Sequence, residues 1–500
     1  MTATLLDLAR PRSGPAADRR WWVLAVLAVA QLMIVVDASI VNIALPSAQH
    51  ALHISVANRQ WVITAYTLTF GGLLLLGGRV ADYVGRKRVL VVGLAGFAGA
   101  SALGGLAPDA SLLFAARALQ GSFAALMAPA ALSLITVTFT EARERAKAFG
   151  VYGAIAGGGL AVGLLAGGVL TEYASWRWCL LVNVPIALLA GTAAVRVIPE
   201  SRPGGSSRYD LPGALTSTLG MVTLVYGMTK ASTDGWGSPT TVGMIATAVA
   251  LLIAFVVVER RSSNPLLPLR VVTERNRGGS YLTTLLLGIG MFGVFLFLTY
   301  YLQATLHYSA LRTGFAYLPF SFGIVASAGI ASKLVVKLQP RVVMAIGLLM
   351  GLAGMLWFTQ IGVHSAYWTH VAPAEIVMSL GMGFVFVPVN STALIGVDPA
   401  DAGVASALIN TTQQVGGSIG TALLNTIAAT ATVSYIGTHG TGPAALASGA
   451  VHGYSVAFFV AAGFFALALV GAWTLITGRA DGHTGEGEVP AEAELEPAGV

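Results

Sequence analysis

Apolar residues in this chain come in continuous runs of about twenty, separated by short stretches of charge and turn residues. Runs of that length cross the hydrocarbon core of a bilayer as helices, whereas barrel strands would alternate over about ten residues. Reading each run from its charged or turn-forming borders predicts fourteen transmembrane helices. They fall at 21–45, 61–80, 88–107, 112–138, 148–171, 178–198, 211–230, 239–258, 279–303, 313–338, 342–363, 370–396, 403–431 and 452–477. An even number places both termini on one side. Two polar linkers, PESRPGGSSRYD (199–210) and ERRSSNPLLPLRVVTERNRG (259–278), divide the array into six, two and six. The expected organisation is an N-terminal segment 1–20, a six-helix half 21–198, linkers with two extra helices 199–278, a second six-helix half 279–477, and a disordered acidic tail 478–500.

Composition agrees with this pattern. The chain is 55% hydrophobic and 10% charged, with mean hydropathy +0.76. Soluble domains carry about 25% charged residues, so this one lacks the charge to cover a water-facing surface. The single cysteine, Cys179, excludes an intrachain disulfide and a cysteine-based metal site. The first apolar run is too long for a signal-peptide core and reads as a retained span. Arg59, Arg177, Lys230 and Arg312 fall in outer segments and Arg117 inside a span. The remaining 23 of the 28 Lys and Arg lie on one side if the N-terminus is cytoplasmic. That asymmetry predicts cytoplasmic termini and accounts for the net charge of +6 without nucleic acid.

Several stretches depart from plain membrane helix. GGRVADYVGRKRV (77–89) closes the second span on the basic side, with Asp82 among bases and with Gly78 and Gly85 for close helix approach and a tight turn. A purely topogenic loop would explain the bases but neither the acid nor the glycines. VVDASIVNIALP (35–46) holds Asp37 in mid-run, a costly place for a carboxylate. It lies roughly 24 Å along its helix at 1.5 Å per residue, a depth close to that of Arg117. EARERAKAFGVYGAIAGGGLAVG (141–163) and DPADAGVASALINTTQQVGGSIG (398–420) echo each other as a charged loop opening a glycine-rich helix, as expected of two related halves.

The loop resembles the signature G-x-x-x-D-x-x-G-R-[RK]-x of the major facilitator superfamily, matched by Gly78, Asp82, Gly85, Arg86 and Lys87. VVDASIVNIALP, RALQG (117–121), SWRWCLLVNVPI (175–186) and NTTQQVGGSIG (410–420) resemble motifs of its fourteen-helix drug:proton antiporter branch. GLAVGLLAGG (159–168) resembles the fifth-span motif G-x-x-x-G-P-x-x-G-G. It keeps Gly159, Gly163, Gly167 and Gly168 for helix packing but has Leu164 in place of the proline. The resemblance implies an all-α integral membrane protein of the major facilitator fold, with 14 transmembrane helices as two six-helix halves plus two extra central helices. It implies proton-driven efflux of amphipathic drugs, antibiotics or secondary metabolites across a bacterial cytoplasmic membrane. Cofactors and obligatory protein partners are not implied; the partners are the small-molecule substrate, protons and the lipid bilayer.

Within that frame Asp37 and Arg117 are the expected proton-coupling pair, since competition of proton and cationic substrate for one carboxylate suffices for antiport. The alternative is a permanent ion pair that only holds helices together. Expected cavity residues are Tyr66, Gln120, Tyr300, Gln303, Asn390, Asn410, Gln413 and Gln414. Each has the alternative role of an interhelical hydrogen bond, worth about 0.6 kcal/mol on average. Glu375 is either a second acid of the cavity or a residue of the outer interface. Seven of the eight histidines map to outer loops or span ends, without metal-ligand spacing. An importer on the same fold is the rival function. No catalytic constellation supports an enzyme.

Overall fold

The computed structural model describes residues 15–201, 210–263, 265–397 and 402–477. The acidic tail 478–500 and the acid of DPADAGVAS at 398 lie outside the described residues. All fourteen predicted spans fall on helices: α1 Pro15–Ala51, α2 Trp61–Val84, α3 Arg86–Gly105, α4 Ala110–Thr138, α5 Ala142–Tyr173, α6 Trp178–Val197 and α7 Leu211–Asp234 in the first part of the chain. They continue as α8 Pro239–Arg261, α9 Arg275–Thr305, α10 Ala310–Lys337, α11 Pro340–Phe358, α12 Tyr367–Ala393, α13 Ala402–His439 and α14 Pro443–Leu475. Twelve are long and apolar enough to cross a membrane; in α2 and α5 the described apolar stretches, Trp61–Leu74 and Gly158–Tyr173, are shorter. The protein is a multi-pass, all-helical membrane protein.

Several ends and breaks have local causes. Asp109, Ser238 and Ser309 accept backbone N–H groups at the starts of α4, α8 and α10. Gly85, at φ +114°, turns α2 into α3, a conformation that only glycine adopts freely. Helix α6 breaks at Val182, where Pro185 offers no N–H to the preceding turn, and α10 breaks at Tyr317 ahead of Pro319. Several helices extend beyond the predicted spans, since helical hydrogen bonding does not stop where the apolar run does. Helix α13 runs to His439 and α14 begins at Pro443.

The helices form two bundles with the same internal pairing. In the first, α2 and α3 pack on α4, α1 on α5, and α6 on α1 and α3. In the second, α10 and α11 pack on α12, α9 on α13, and α14 on α9 and α11. The second list is the first with each helix advanced to its counterpart, which is how a structural repeat looks in contacts. The bundles meet where α2 lies on α13 and, symmetrically, α5 on α10. The hairpin α7–α8 sits beside α2 and α13, with Val242, Val249, Ile253 and Val257 of α8 exposed, a surface suited to lipid.

Missing side chains permit the tightest pairing. Added Cβ atoms at Gly159, Gly163 and Gly167 would run into Val35, Ser39 and Ile40 of α1. The same relation recurs between Gly416 and Gly420 of α13 and the Leu285 and Ile289 carbonyls of α9. Gly168 faces the other way, onto Ala310 and Leu311 across the seam, and Leu164 is buried against Gly314 on that same side. Gly163→Val is therefore expected to cost about 1–3 kcal/mol through overpacking and to lower the thermal unfolding midpoint in detergent. Gly158→Ala, one helix position from Gly159 but facing open space, should leave the midpoint unchanged.

Candidate functional site

Asp37 lies in mid-α1 with no exposure to solvent, and every hydrogen bond to its carboxylate comes from another helix. Arg117 Nη1 of α4 donates to Oδ2 at 2.6 Å. Gln120 Nε2, one turn further along α4, and Asn183 Nδ2 of α6 both donate to Oδ1, at 3.0 and 2.7 Å. Arg117 in turn donates to the Val62 carbonyl and to Gln120 Oε1, and its guanidinium lies 4.4 Å above the Tyr66 ring. Gln120 also reaches Ser101 of α3 at 2.7 Å. One carboxylate thus ties α1, α4 and α6, and through Arg117 and Gln120 it holds α2 and α3 as well. An ionised acid is affordable at this depth only because a cation and two amides replace its water.

The sequence placed Asp37 and Arg117 at one depth, and the structure bonds them directly. Tyr66 and Gln120, expected along the cavity, instead belong to this sealed network and are fully buried. Asn183 and Ser101 were missed. Asn183 carried a signal, being an amide inside the apolar stretch CLLVNVPI; a lone serine in a helix carries none. Asn183 Oδ1 has no partner, which leaves a free acceptor beside the carboxylate.

For orientation, the basic face is the end holding residues 85–88. At the other end Tyr300 and Gln303 close the seam between the bundles. The Tyr300 hydroxyl donates to Gln49 Oε1, and Gln303 Nε2 donates to the Ile43 carbonyl at 3.0 Å. Arg59 is buried there, 3.9 Å above the Tyr300 ring, and donates to Asn425 of α13. Asn425 bonds Gln60, Thr67 bonds Ser418, and Glu172 accepts from Leu311 N–H. The described hydrogen bonds between bundles all lie away from the basic face. A cleft of about 770 Å³ sits above this seal, lined by Gln49, His50, His53, Glu172, Tyr300 and Gln303.

Asn390 and Asn410 are exposed towards the basic end of α12 and α13, and Gln413 and Gln414 are half-buried one turn further in. The structure buries Glu375 in the first turns of α12. It is 1% exposed, with Oε2 3.1 Å from the Tyr367 hydroxyl and Oε1 unpartnered. Tyr367 opens the π-helical turn Tyr367–Val371 that leads into the α-helical part of α12.

The loop 85–88 is held by an acid outside the motif. Glu200 accepts from Lys87 N–H at 3.2 Å, lies 3.6 Å from Arg88 Nε, and fills the space that a Gly85 side chain would need. The Arg86 N–H donates to the Ser201 carbonyl. The side chain of Asp82 lies outside the described ones. Close approach to α4 falls at Gly77, where a Cβ would overlap the Ala125 carbonyl; Gly78 has ordinary clearance to Pro129.

Two pseudo-symmetric six-helix bundles, an extra hairpin and a charged network inside the first bundle define a membrane transporter. Residues 27–421 match the Major Facilitator Superfamily, and the chain belongs to it. It is 53% identical over 467 residues to the puromycin resistance protein pur8 of Streptomyces alboniger, covering 93% of this chain and 92% of that one. It is 40% identical over 413 residues to the cephamycin export protein CmcT of Amycolatopsis lactamdurans, covering 82% and 85%. In fold it is similar to the inward-facing, occupied crystal structure of a bacterial homologue of the lysosomal transporter Spinster. That match has TM-score 0.66 at 15% identity and covers 91% of this chain and 96% of that one.

Breaking one partner of a buried ion pair strands the other charge, at about 3–5 kcal/mol. Asp37→Asn is therefore expected to lower the unfolding midpoint sharply. Asp37→Asn combined with Arg117→Gln should recover much of the loss. Thermal unfolding of the two single variants and the double variant, read as a double-mutant cycle, measures the coupling; additive losses would mean that the pair is not coupled.

Proposed function

We propose that this chain is a proton-driven exporter of small amphipathic drugs, antibiotics or secondary metabolites. In this reading it works across a bacterial cytoplasmic membrane by alternating access, with both termini cytoplasmic and no cofactor. The observation that carries the reading is the Asp37 network: an ionised carboxylate, sealed from water, on which three helices of one bundle depend. The side preference of the basic residues supports the orientation. Relatives named for puromycin resistance and cephamycin export support efflux and its cargo class.

The geometry gives the proton a specific consequence. Protonating Asp37 removes the counter-ion of Arg117 and turns one carboxylate oxygen into a donor, for which Asn183 Oδ1 is the free acceptor. Helix α1 is then less tightly bound to α4. The same helix carries Ile43 and Gln49, which close the seam on Gln303 and Tyr300. A proton arriving at Asp37 thus acts on the outer seal through one rigid helix. In the conformer described, the seal is shut and cargo enters from the cytoplasmic face, where Asn390 and Asn410 are exposed.

Everted membrane vesicles with a respiration-driven pH gradient test this. Puromycin leads the panel, followed by cationic and neutral amphipathic compounds. Wild-type protein is expected to dissipate the gradient when cargo is added. Asp37→Asn, at matched folded amount, is expected to lose at least tenfold in that rate. Equal rates would leave Asp37 a structural residue, and no response to any compound would overturn drug antiport.

A further inference from the structure

The loop joining α8 to the second bundle is held from two sides. Arg79 Nη2 of α2 donates to the Pro265 carbonyl at 2.9 Å, and Leu267 N–H donates to Glu259 Oε2 at 3.0 Å. Glu259, near the end of α8, is 3% exposed. Beside it is Asp210, 6% exposed, which caps α7 by accepting the Gly213 N–H at 2.8 Å. The two carboxyl groups crowd the space left by the missing side chain of Gly213. Glu259 Oε1 and Asp210 Oδ1 lie 2.6 and 3.0 Å from where its Cβ would stand. Each group also keeps one buried oxygen without a partner, Glu259 Oε1 and Asp210 Oδ2.

Two ionised carboxylates in one buried space repel each other, and buried acceptors without donors carry a further cost. The cation facing them is Arg79 of α2, and its described hydrogen bond goes to Pro265 rather than to either acid. Arg260 and Arg261, next along the chain, point to solvent. The described start of α13, which packs on α7, brings no titratable side chain between 402 and 415. Among the described residues the pair is therefore one hydrogen short. A metal ion suits the place poorly. Calcium takes six to eight oxygen ligands, whereas the backbone groups aimed at these acids, Gly213 and Leu267, are N–H donors.

We propose that Asp210 and Glu259 form a proton-binding site at the joint between the α7–α8 hairpin and the second bundle, with one proton shared between the two carboxyl groups. The site works independently of the cargo and of Asp37. With the proton in place, Glu259 stays against Asp210 and keeps hold of Leu267. Without it the two negative charges part, and Leu267 is released from the hairpin while Arg79 still holds Pro265. Two residues beyond Leu267 the chain enters the short helix Leu269–Thr273 that leads into α9, so pH at the basic face sets how firmly the hairpin is tied to the second bundle.

Hydrogen–deuterium exchange on the full-length protein in lipid nanodiscs tests this between pH 6 and pH 9, with intrinsic exchange rates divided out. In the wild type, amides of Leu266–Val272 are expected to open about tenfold more per pH unit once the shared proton leaves, the slope for loss of a single proton. Glu259→Gln and Asp210→Asn each supply the missing hydrogen from an amide and should stay protected throughout. Either variant alone suffices if the other fails to fold. A flat wild-type profile, or variants that open as the wild type does, overturns the proposal. So does wild-type protection restored at pH 9 by millimolar magnesium or sodium, which would put a metal ion in the proton's place.

Discussion

A carboxylate buried in mid-membrane must find all its hydrogen bonds inside the protein. Asp37 does so by drawing on α4 and α6, and each donor is itself committed elsewhere: Arg117 to Val62 and Gln120, and Gln120 to Ser101. The first bundle is thereby organised around one negative charge. Its helices cannot shift independently without leaving either an acid or an arginine unpaired in a medium where that costs several kcal/mol. A transporter needs such all-or-none behaviour, because intermediate positions leak. In the proposed mechanism this organising charge is also the one that a proton removes.

Glycine packing makes the arrangement possible. Helix α1 reaches Asn183 and Arg117 together only because α5 offers it the groove of Gly159, Gly163 and Gly167. Between lipid-exposed helices the hydrophobic effect supplies no attraction, so close van der Waals contact and a few polar bonds must hold them. The second bundle reuses the device at Gly416 and Gly420 but has no equivalent charge network among its described residues. The two halves are alike in packing and unlike in chemistry, so in the proposed mechanism a proton at Asp37 acts on one of them.

The fold was legible because bilayer thickness imposes a length on every apolar run, and the repeat was legible because both halves need the same glycines. The site was half legible. Asp37 and Arg117 announced themselves as charges where charge is expensive. Tyr66, Gln120 and Glu375 were correctly seen as polar groups inside spans, but a linear sequence does not tell which face of a helix meets a cavity and which meets another helix. Arg59 was misleading for a different reason: its place at a span end makes it look topogenic, and only the meeting of α2 with α13 shows it buried against Tyr300. Glu200 was invisible because its partners are more than 100 residues away along the chain.

These placements bear on what a departure from a family motif means. Leu164 stands where the fifth-span motif that this stretch resembles has proline. It is fully buried against Gly314 on α10, next to the contact of Gly168 with Ala310 and Leu311. At this level α5 packs directly on α10 across the bundle seam. The position therefore belongs to the contact between the bundles, while the α1–α5 groove is built by Gly159, Gly163 and Gly167. In the proposed coupling, α1 links Asp37 to the outer seal, since the same helix carries Ile43 and Gln49.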